Sequence, residues 1–258
     1  MTSPSSFRQR LLARETLLGT FVQSPAVHPV EILGRAGFDF IVLDGEHGPF
    51  DRTSRDLCIL AAQATRTPCL VRVPEGSPAQ LLAALDDGGD GVVVPHVTSA
   101  AVAREIAAAC RYRTGNRGFT NSTRAGDYGA WSMWEHVDRS DANVVVAAII
   151  EDIQALDEID EIAAVDGIDV LLIGRGDLTM AYRAPSAEAP EIVAATARIA
   201  EAASKAGKPA WINVGSVEEA EAMKRDYGIT CFSTGSDQGF LRSAALSAVK
   251  AFAGFRKA

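Results

Sequence analysis

Eight short apolar runs, each followed by a segment with helical spacing, recur along this chain, and the alternation limits what it can fold into. The predicted strands are Leu17 to Val22, Phe38 to Leu43, Cys69 to Val73, Gly91 to Val94, Val144 to Ile150, Val170 to Ile173, Pro209 to Val214 and Ile229 to Ser233. Consecutive apolar residues read as strands buried on both faces, as in a parallel sheet. Strand and helix alternate at the spacing of βα units, and no linker divides the chain. Eight units in 258 residues predict an α/β fold, a single (β/α)8 TIM barrel filling residues 1–258 as one domain. A doubly wound open sheet is the alternative. No G-x-G-x-x-G follows the first strand and no Walker A sequence is present, which weakens the nucleotide-binding versions of that alternative.

Punctuation between the strands supports the reading. Phe7 to Arg14 reads as a leading helix, and Pro29 to Ala36 as a helix closed by Gly37. Asp51 can cap a helix running to Thr65, and Ser77-Pro78 suits the start of the next. Ser99 to Cys110, Ile153 to Ala163, Ala187 to Ala206 and Val217 to Asp226 have helical spacing, and a last helix runs from Asp237 to Phe255. Arg111 to Asn143 is the longest stretch without strong periodicity. It is too aromatic for a disordered linker, so it is functional or carries small helices of its own. Trp131 and Trp134 within it are three apart and suit packing on one helix face.

Composition excludes several classes. Hydrophobic residues make up 47% and charged residues 22%, the balance of a globular domain with its own core. A net charge of −8 argues against general binding to nucleic acid or an anionic membrane. No apolar stretch is long enough to span a bilayer, and the start MTSPSSFRQRLLARE has no apolar signal region. Cys58, Cys69, Cys110 and Cys231 are scattered and read as small buried hydrophobes in a reducing compartment. The expected location is the cytoplasm.

Ionisable residues gather where the predicted strands end. Asp44, Glu46 and His47 follow the second strand and Arg72 ends the third. Glu151 and Asp152 follow the fifth, and Asp177 follows the sixth. In a barrel these ends converge on one face, where chemistry is placed. His47 is the natural general base, because an imidazole titrates near neutrality. Strands five and six would be neighbours, so Glu151 and Asp177 could meet. Two carboxylates with room for water suit Mg²⁺ or Mn²⁺, and no His or Cys lies beside them in sequence to favour zinc. Gly174 and Gly176 flank Asp177 and would let backbone N–H groups approach a substrate carboxylate. The set fits a 2-keto acid, with a metal on its carboxylate and keto oxygens and Arg72 on the developing enolate oxygen. No lysine near a strand end stands out as a Schiff-base former.

In these residues the chain resembles the HpcH/HpaI family of metal-dependent (class II) pyruvate aldolases. The resemblance is carried by Gly37-Phe38-Asp39 leading into Asp44-Gly45-Glu46-His47, then Arg72-Val73-Pro74, Val94-Pro95, Arg117-Gly118, Glu151, Ile173-Gly174 and Asp177-Leu178. It spans nearly the whole chain in order. It implies a lyase acting on a 2-keto-4-hydroxy acid, releasing pyruvate or a related 2-keto acid and an aldehyde through a metal-stabilised enolate. It also implies Mg²⁺, Mn²⁺ or Co²⁺ at Glu151 and Asp177, a base at His47, and Arg72 as transition-state stabiliser. Asp86 would be an acidic partner raising the basicity of His47, and substrate would bind at Arg72, Gly174, Gly176 and Asp177. Relatives are commonly homohexamers that exchange the last helix, for which Phe240, Leu241, Leu246, Val249 and Phe252 would supply an apolar face. Oxaloacetate decarboxylation, CoA-ester cleavage, and keto-acid binding without turnover are the alternatives on the same site.

Two positions depart from the family pattern. Ile149 stands where a substrate-contacting glutamine is usual, and Gly174-Arg175-Gly176-Asp177 replaces a Gly-Pro-Ala/Ser-Asp turn. The first removes a polar contact and the second adds a cation, so an altered donor or acceptor is expected. Among the other histidines, His28 and His96 lie at strand-to-helix turns and could touch the site. His136 is expected at the surface.

Overall fold

The computed structural model describes residues 6–255. Eight parallel strands close into a barrel in sequence order, as expected from the alternation. They are β1 Leu17–Val22, β2 Phe40–Asp44, β3 Cys69–Arg72, β4 Gly91–Val94, β5 Val145–Ile150, β6 Val170–Ile173, β7 Ala210–Asn213 and β8 Cys231–Ser236. Pairing of β1 with β8, Leu17 opposite Cys231, closes the ring and excludes the open sheet.

Local chemistry sets the helix ends. Helix α1 (Phe7–Leu12) starts in a capping box between Ser6 and Gln9. Helix α2 (Val27–Ala36) stops at Gly37, whose φ of 97° is a left-handed conformation that favours glycine. The Asp51 carboxylate accepts the Ser54 N–H at 2.7 Å and starts α3 (Arg52–Thr65). Pro78 opens α4 (Pro78–Asp86), and Ser99 caps α5 (Ala100–Cys110).

The aperiodic stretch holds a 3₁₀ turn at Arg124–Gly129 and α6 (Met133–Asn143). Beyond β5, the segment predicted as one helix is divided into a 3₁₀ turn, Ile153–Leu156, and α7 (Ile159–Ala164). Glu158 accounts for the break: its carboxylate accepts the Ala100 N–H at 3.0 Å, capping α5 instead of continuing its own helix. The turn after β6 opens a short helix, α8 (Arg175–Tyr182), with Gly174 as its N-cap and Gly176 in its first turn. Helices α9 (Pro190–Lys205), α10 (Val217–Tyr227) and α11 (Asp237–Ala251) complete the outer ring.

Alternation along the strands divides the core in two. One set of buried residues faces the helices, while Phe40, Val42, Leu70, Ile149, Leu172 and Trp211 belong to the set that fills the barrel. Phe7 and Leu11 of α1 pack into that interior, with the Phe7 and Phe40 rings 5.2 Å apart. The two-residue period continues upward: after Val42 comes Asp44, after Leu70 Arg72, after Ile149 Glu151, after Leu172 Gly174, after Trp211 Asn213. The parity that fills the barrel with apolar side chains therefore turns its final layer, polar at all of these positions but Gly174, into the mouth.

Helix α11 is different from the rest. Phe240 stacks on Phe38 with centroids 6.1 Å apart, but no residue of α11 is buried, and Leu241, Leu246, Val249 and Phe252 are exposed. No helix among the described residues is long and apolar enough to cross a membrane.

Candidate active site

The carboxyl ends of β2 and β3 build one wall. Asp44 and Arg72 are register partners, so their inward side chains meet. Arg72 Nε donates to Asp44 Oδ1 at 2.9 Å and its Nη2 donates to Oδ2 at 2.7 Å, a bidentate pair. The fully buried Asp44 carboxylate also accepts the His47 N–H at 3.0 Å and Gln23 Nε2 at 3.1 Å. Burial works to raise the Asp44 pKa. The Arg72 hydrogen bonds, the His47 N–H, the Arg72 charge and Gln23 outweigh it, and the carboxyl is held below its ordinary value. Arg72 Nη1 also approaches Glu46 Oε2 at 3.1 Å, and the guanidinium lies over the Phe21 ring, 5.2 Å from its centroid. In the barrel Arg72 is clamped between two carboxylates.

The ends of β5 and β6 build the opposite chemistry. Their register sets Ile150 opposite Ile173, so Glu151 and Gly174 are level. A Cβ on Gly174 would lie 2.5 Å from Glu151 Cβ, so glycine is what lets the glutamate turn into the mouth. Glu151 is buried, and burial pushes its pKa up, opposed by the His96 N–H and ring and reinforced by the charges of Asp177 and Glu46. The His96 N–H donates to Glu151 Oε1 at 2.8 Å. Among the described residues, no arginine or lysine pairs with Glu151 or Asp177, in contrast to Asp44, Glu46 and Asp86. A buried carboxylate beside a second one, both lacking a cation, fits a divalent metal.

Of the two histidines expected at strand-to-helix turns near the site, the fold brings His96 to these carboxylates. His96, at the end of the neighbouring strand β4, places Nδ1 3.5 Å from Glu151 Oε1 and 3.0 Å from Asp152 Oδ2. His96 and Glu151 are 55 positions apart in the chain, and the β4–β5 pairing brings them together.

Arg72, Ile149, Glu151, Gly174, Gly176 and Asp177 line one cavity of about 520 Å³ at the barrel mouth. A larger hollow of about 780 Å³, lined by Arg104, Arg111 and Glu161, lies in the outer helical layer and holds none of these strand-end residues. His47 is not in the lining. Its side chain is 62% exposed at the rim, with Nε2 4.0 Å from Glu46. Asp86 is not brought to His47 within the chain: it is buried at the end of α4 and accepts Arg117 Nη2 at 2.9 Å.

Arg175 is no free cation either, for its Nη2 donates to Glu219 Oε1 at 2.5 Å and to the Asn213 carbonyl at 2.8 Å. His136, expected at the surface, is fully buried with its Nε2 3.1 Å from the Tyr112 hydroxyl, and burial lowers its pKa. Trp131 precedes α6, so it shares no helix face with Trp134. Instead Arg139 lies over the Trp131 ring and Arg113 over that of Trp134, at 4.7 and 4.9 Å.

Comparison with known proteins gives the family. The sequence profile of the HpcH/HpaI aldolase/citrate lyase family matches residues 17–244. A 5-keto-4-deoxy-D-glucarate aldolase of Enterobacter sp. (strain 638) is 34% identical over 243 residues, covering 93% of this chain and 94% of the relative. Among solved structures, an HpcH/HpaI aldolase/citrate lyase family protein from Burkholderia cenocepacia J2315 superposes with a TM-score of 0.88 at 26% identity, covering 94% of this chain and 97% of the other. The citrate synthase SbnG gives a TM-score of 0.87 at 25% identity, with 98% of each chain covered. With the profile running from β1 into α11 and through every strand end described above, the chain belongs to the HpcH/HpaI aldolase/citrate lyase family.

Proposed function

We propose that the protein is a divalent-metal-dependent aldolase that reversibly cleaves a 2-keto-4-hydroxy acid to pyruvate, or a related 2-keto acid, and an aldehyde. The observation that carries this reading is the cavity in which Glu151 and Asp177, two carboxylates that pair with no arginine or lysine among the described residues, share walls with Arg72. A divalent cation bound there supplies positive charge that polarises the keto group. Mg²⁺ and Mn²⁺ suit the oxygen donors, and Co²⁺ is compatible.

The side chains have separate tasks. Arg72, held by Asp44, keeps its charge at one place on the wall where negative charge develops on the substrate oxygen. The backbone N–H of Gly176, in the first turn of α8, receives the substrate carboxylate at a helix N-terminus; that of Gly174, expected to share this task, is already donated to the Ile150 carbonyl at 3.0 Å. His47 at the rim takes a proton from the substrate in cleavage and returns it in the reverse direction.

The named relative suggests the first substrate to try, 5-keto-4-deoxy-D-glucarate. With Mg²⁺ present, pyruvate release followed through lactate dehydrogenase and NADH should stop on adding EDTA and return with excess metal. Release indifferent to EDTA would contradict the metal route.

Ile149 lines the cavity and is buried with Phe21 and Leu172 nearby, so the donor site has an apolar side. Ile149→Gln should shift the ratio of kcat/KM between pyruvate and 2-ketobutyrate as donors about tenfold toward pyruvate, the scale of about one methylene's discrimination. Arg175→Pro should change that ratio less than twofold, because the guanidinium is already engaged by Glu219. Equal ratios for Ile149→Gln and the parent would remove the specificity argument.

The uncovered apolar face of α11 supports a homo-oligomer, a hexamer by family resemblance, with this helix exchanged between subunits. Sedimentation showing a monomer at micromolar concentration would contradict that reading. Four buried free cysteines support a cytoplasmic setting.

A further inference from the structure

Glu151 offers its two oxygens to different neighbours. Oε2 faces Gly174, on the side of the turn that carries Asp177, since a Cβ on Gly174 would sit 3.1 Å from it. Oε1 faces β4, where it meets both the backbone N–H and the ring of His96. Single donor atoms of His96, Glu151 and Asp152 all lie within 4.8 Å of one another. Donors on adjacent vertices of an octahedron with bonds of about 2.1 Å are about 3.0 Å apart, and opposite ones about 4.2 Å. The His96 Nδ1 separation of 3.0 Å to Asp152 matches adjacent donors around one cation, and that of 3.5 Å to Glu151 falls between the two spacings.

We propose that His96 is a nitrogen ligand of the divalent cation that Glu151 binds, with Asp152 completing the ligand set on that side. The inference rests on the metal reading above and deepens it. Three observations carry it together. The Glu151 carboxylate is 5% exposed and takes no arginine or lysine among the described residues, the setting of a carboxylate that binds a cation. The His96 side chain is 61% exposed, so its imidazole is free to turn without repacking a core. Its main chain is already fixed to the same carboxylate, which holds the His96 backbone beside Glu151.

The consequence is metal choice. An all-oxygen site favours Mg²⁺, whereas an imidazole donor shifts preference toward Mn²⁺, Co²⁺, Ni²⁺ and Zn²⁺. The centre of this chain would therefore discriminate against Mg²⁺ more strongly than its two carboxylates alone would.

The test uses Mn²⁺ as the probe in the full-length protein. His96 has a φ of 55°, a conformation that asparagine and glycine tolerate, so His96→Asn and His96→Gly keep the backbone N–H on Glu151 while removing the imidazole. Electron spin-echo modulation of the Mn²⁺-loaded protein should show coupling to an imidazole ¹⁴N, lost in both variants. Mn²⁺ affinity, titrated by EPR, should fall about tenfold or more. Mg²⁺ affinity, measured by competition, should change by less than about threefold, because Mg²⁺ prefers oxygen donors and water.

Glu151→Gln separates the two layers of the argument. Mn²⁺ binding that depends on Glu151 but shows no ¹⁴N coupling, or coupling that survives in His96→Asn, would overturn the role of His96 and leave the metal reading intact. Mn²⁺ binding indifferent to Glu151→Gln would overturn both.

Discussion

Glu151→Gln is expected to abolish turnover while leaving the metal-free protein as stable as the parent, or more so. The loss should be about 10³-fold in kcat, since a metal's charge at a developing oxyanion is worth several kcal/mol. The stability effect has the opposite sign. Glu151 is buried without an arginine or lysine, and its pKa is raised chiefly by that burial, then by Asp177 and Glu46. A carboxyl whose folded pKa lies above its unfolded one contributes stability that is complete below the unfolded pKa and disappears as pH rises through the folded one. At neutral pH and above, the metal-free protein thus carries a penalty that glutamine lacks, while the amide oxygen still accepts the His96 N–H.

Melting curves in EDTA at pH 8 should place the variant at or above the parent. Mn²⁺ should then raise the parent's Tm and not the variant's. A variant that melts several degrees lower without metal, or that retains turnover, would contradict this account of Glu151.

Asp44→Ala should be the most destabilising single change at the barrel mouth, costing about 3–5 kcal/mol, the range for leaving one half of a buried ion pair unpaired. Four hydrogen bonds converge on this carboxylate, from Arg72 twice, the His47 N–H and Gln23. Its removal leaves the Arg72 guanidinium, itself only 13% exposed, with Glu46 as its remaining anion. Activity should also fall, by about 10²-fold or more, because misplacing a charge by about 1 Å is enough for that. Denaturant midpoints and kcat measured together check both parts.

The parent should show the same dependence through pH. The Asp44 pKa is lowered despite burial, so its contribution is present above the unfolded pKa and is lost as pH falls through the folded one, in the acid range below about 4. Stability of Asp44→Ala should therefore respond less to acid than that of the parent. Equal acid sensitivity would show that Asp44 is not the group responsible.

What could be read in the sequence follows a physical division. Strand positions were legible because burial on both faces writes continuous apolar runs, and β1 and β6 coincide with their predicted limits. The polar layer at the barrel mouth was legible one residue at a time, because each polar group follows its apolar run within the chain: Asp44 after Leu43, Glu151 after Ile150.

Pairing between strands was not legible. The clamp of Asp44 on Arg72 and the approach of His96 to Glu151 depend on register between different strands, which leaves no mark within either. Salt bridges made by surface helices were equally hidden, which is why Arg175 looked like a free cation until Glu219 of α10 was placed beside it. His136 fell on an aperiodic stretch where no pattern separates inside from outside. Its burial arises from packing against Tyr112, Phe119 and Trp131.

Formation of an enolate from a 2-keto acid is the claim on which the rest depends, and it can be measured without knowing the aldehyde. Pyruvate is incubated with the protein and Mg²⁺ in D₂O, samples are quenched with EDTA, and the methyl proton signal is followed by NMR. The account predicts loss of that signal only when metal is present, stopped by EDTA from the start and absent in Glu151→Gln. A signal that persists with Mg²⁺, Mn²⁺ and Co²⁺ alike, for pyruvate and for larger 2-keto acids, would contradict it and leave a barrel that binds without turning over.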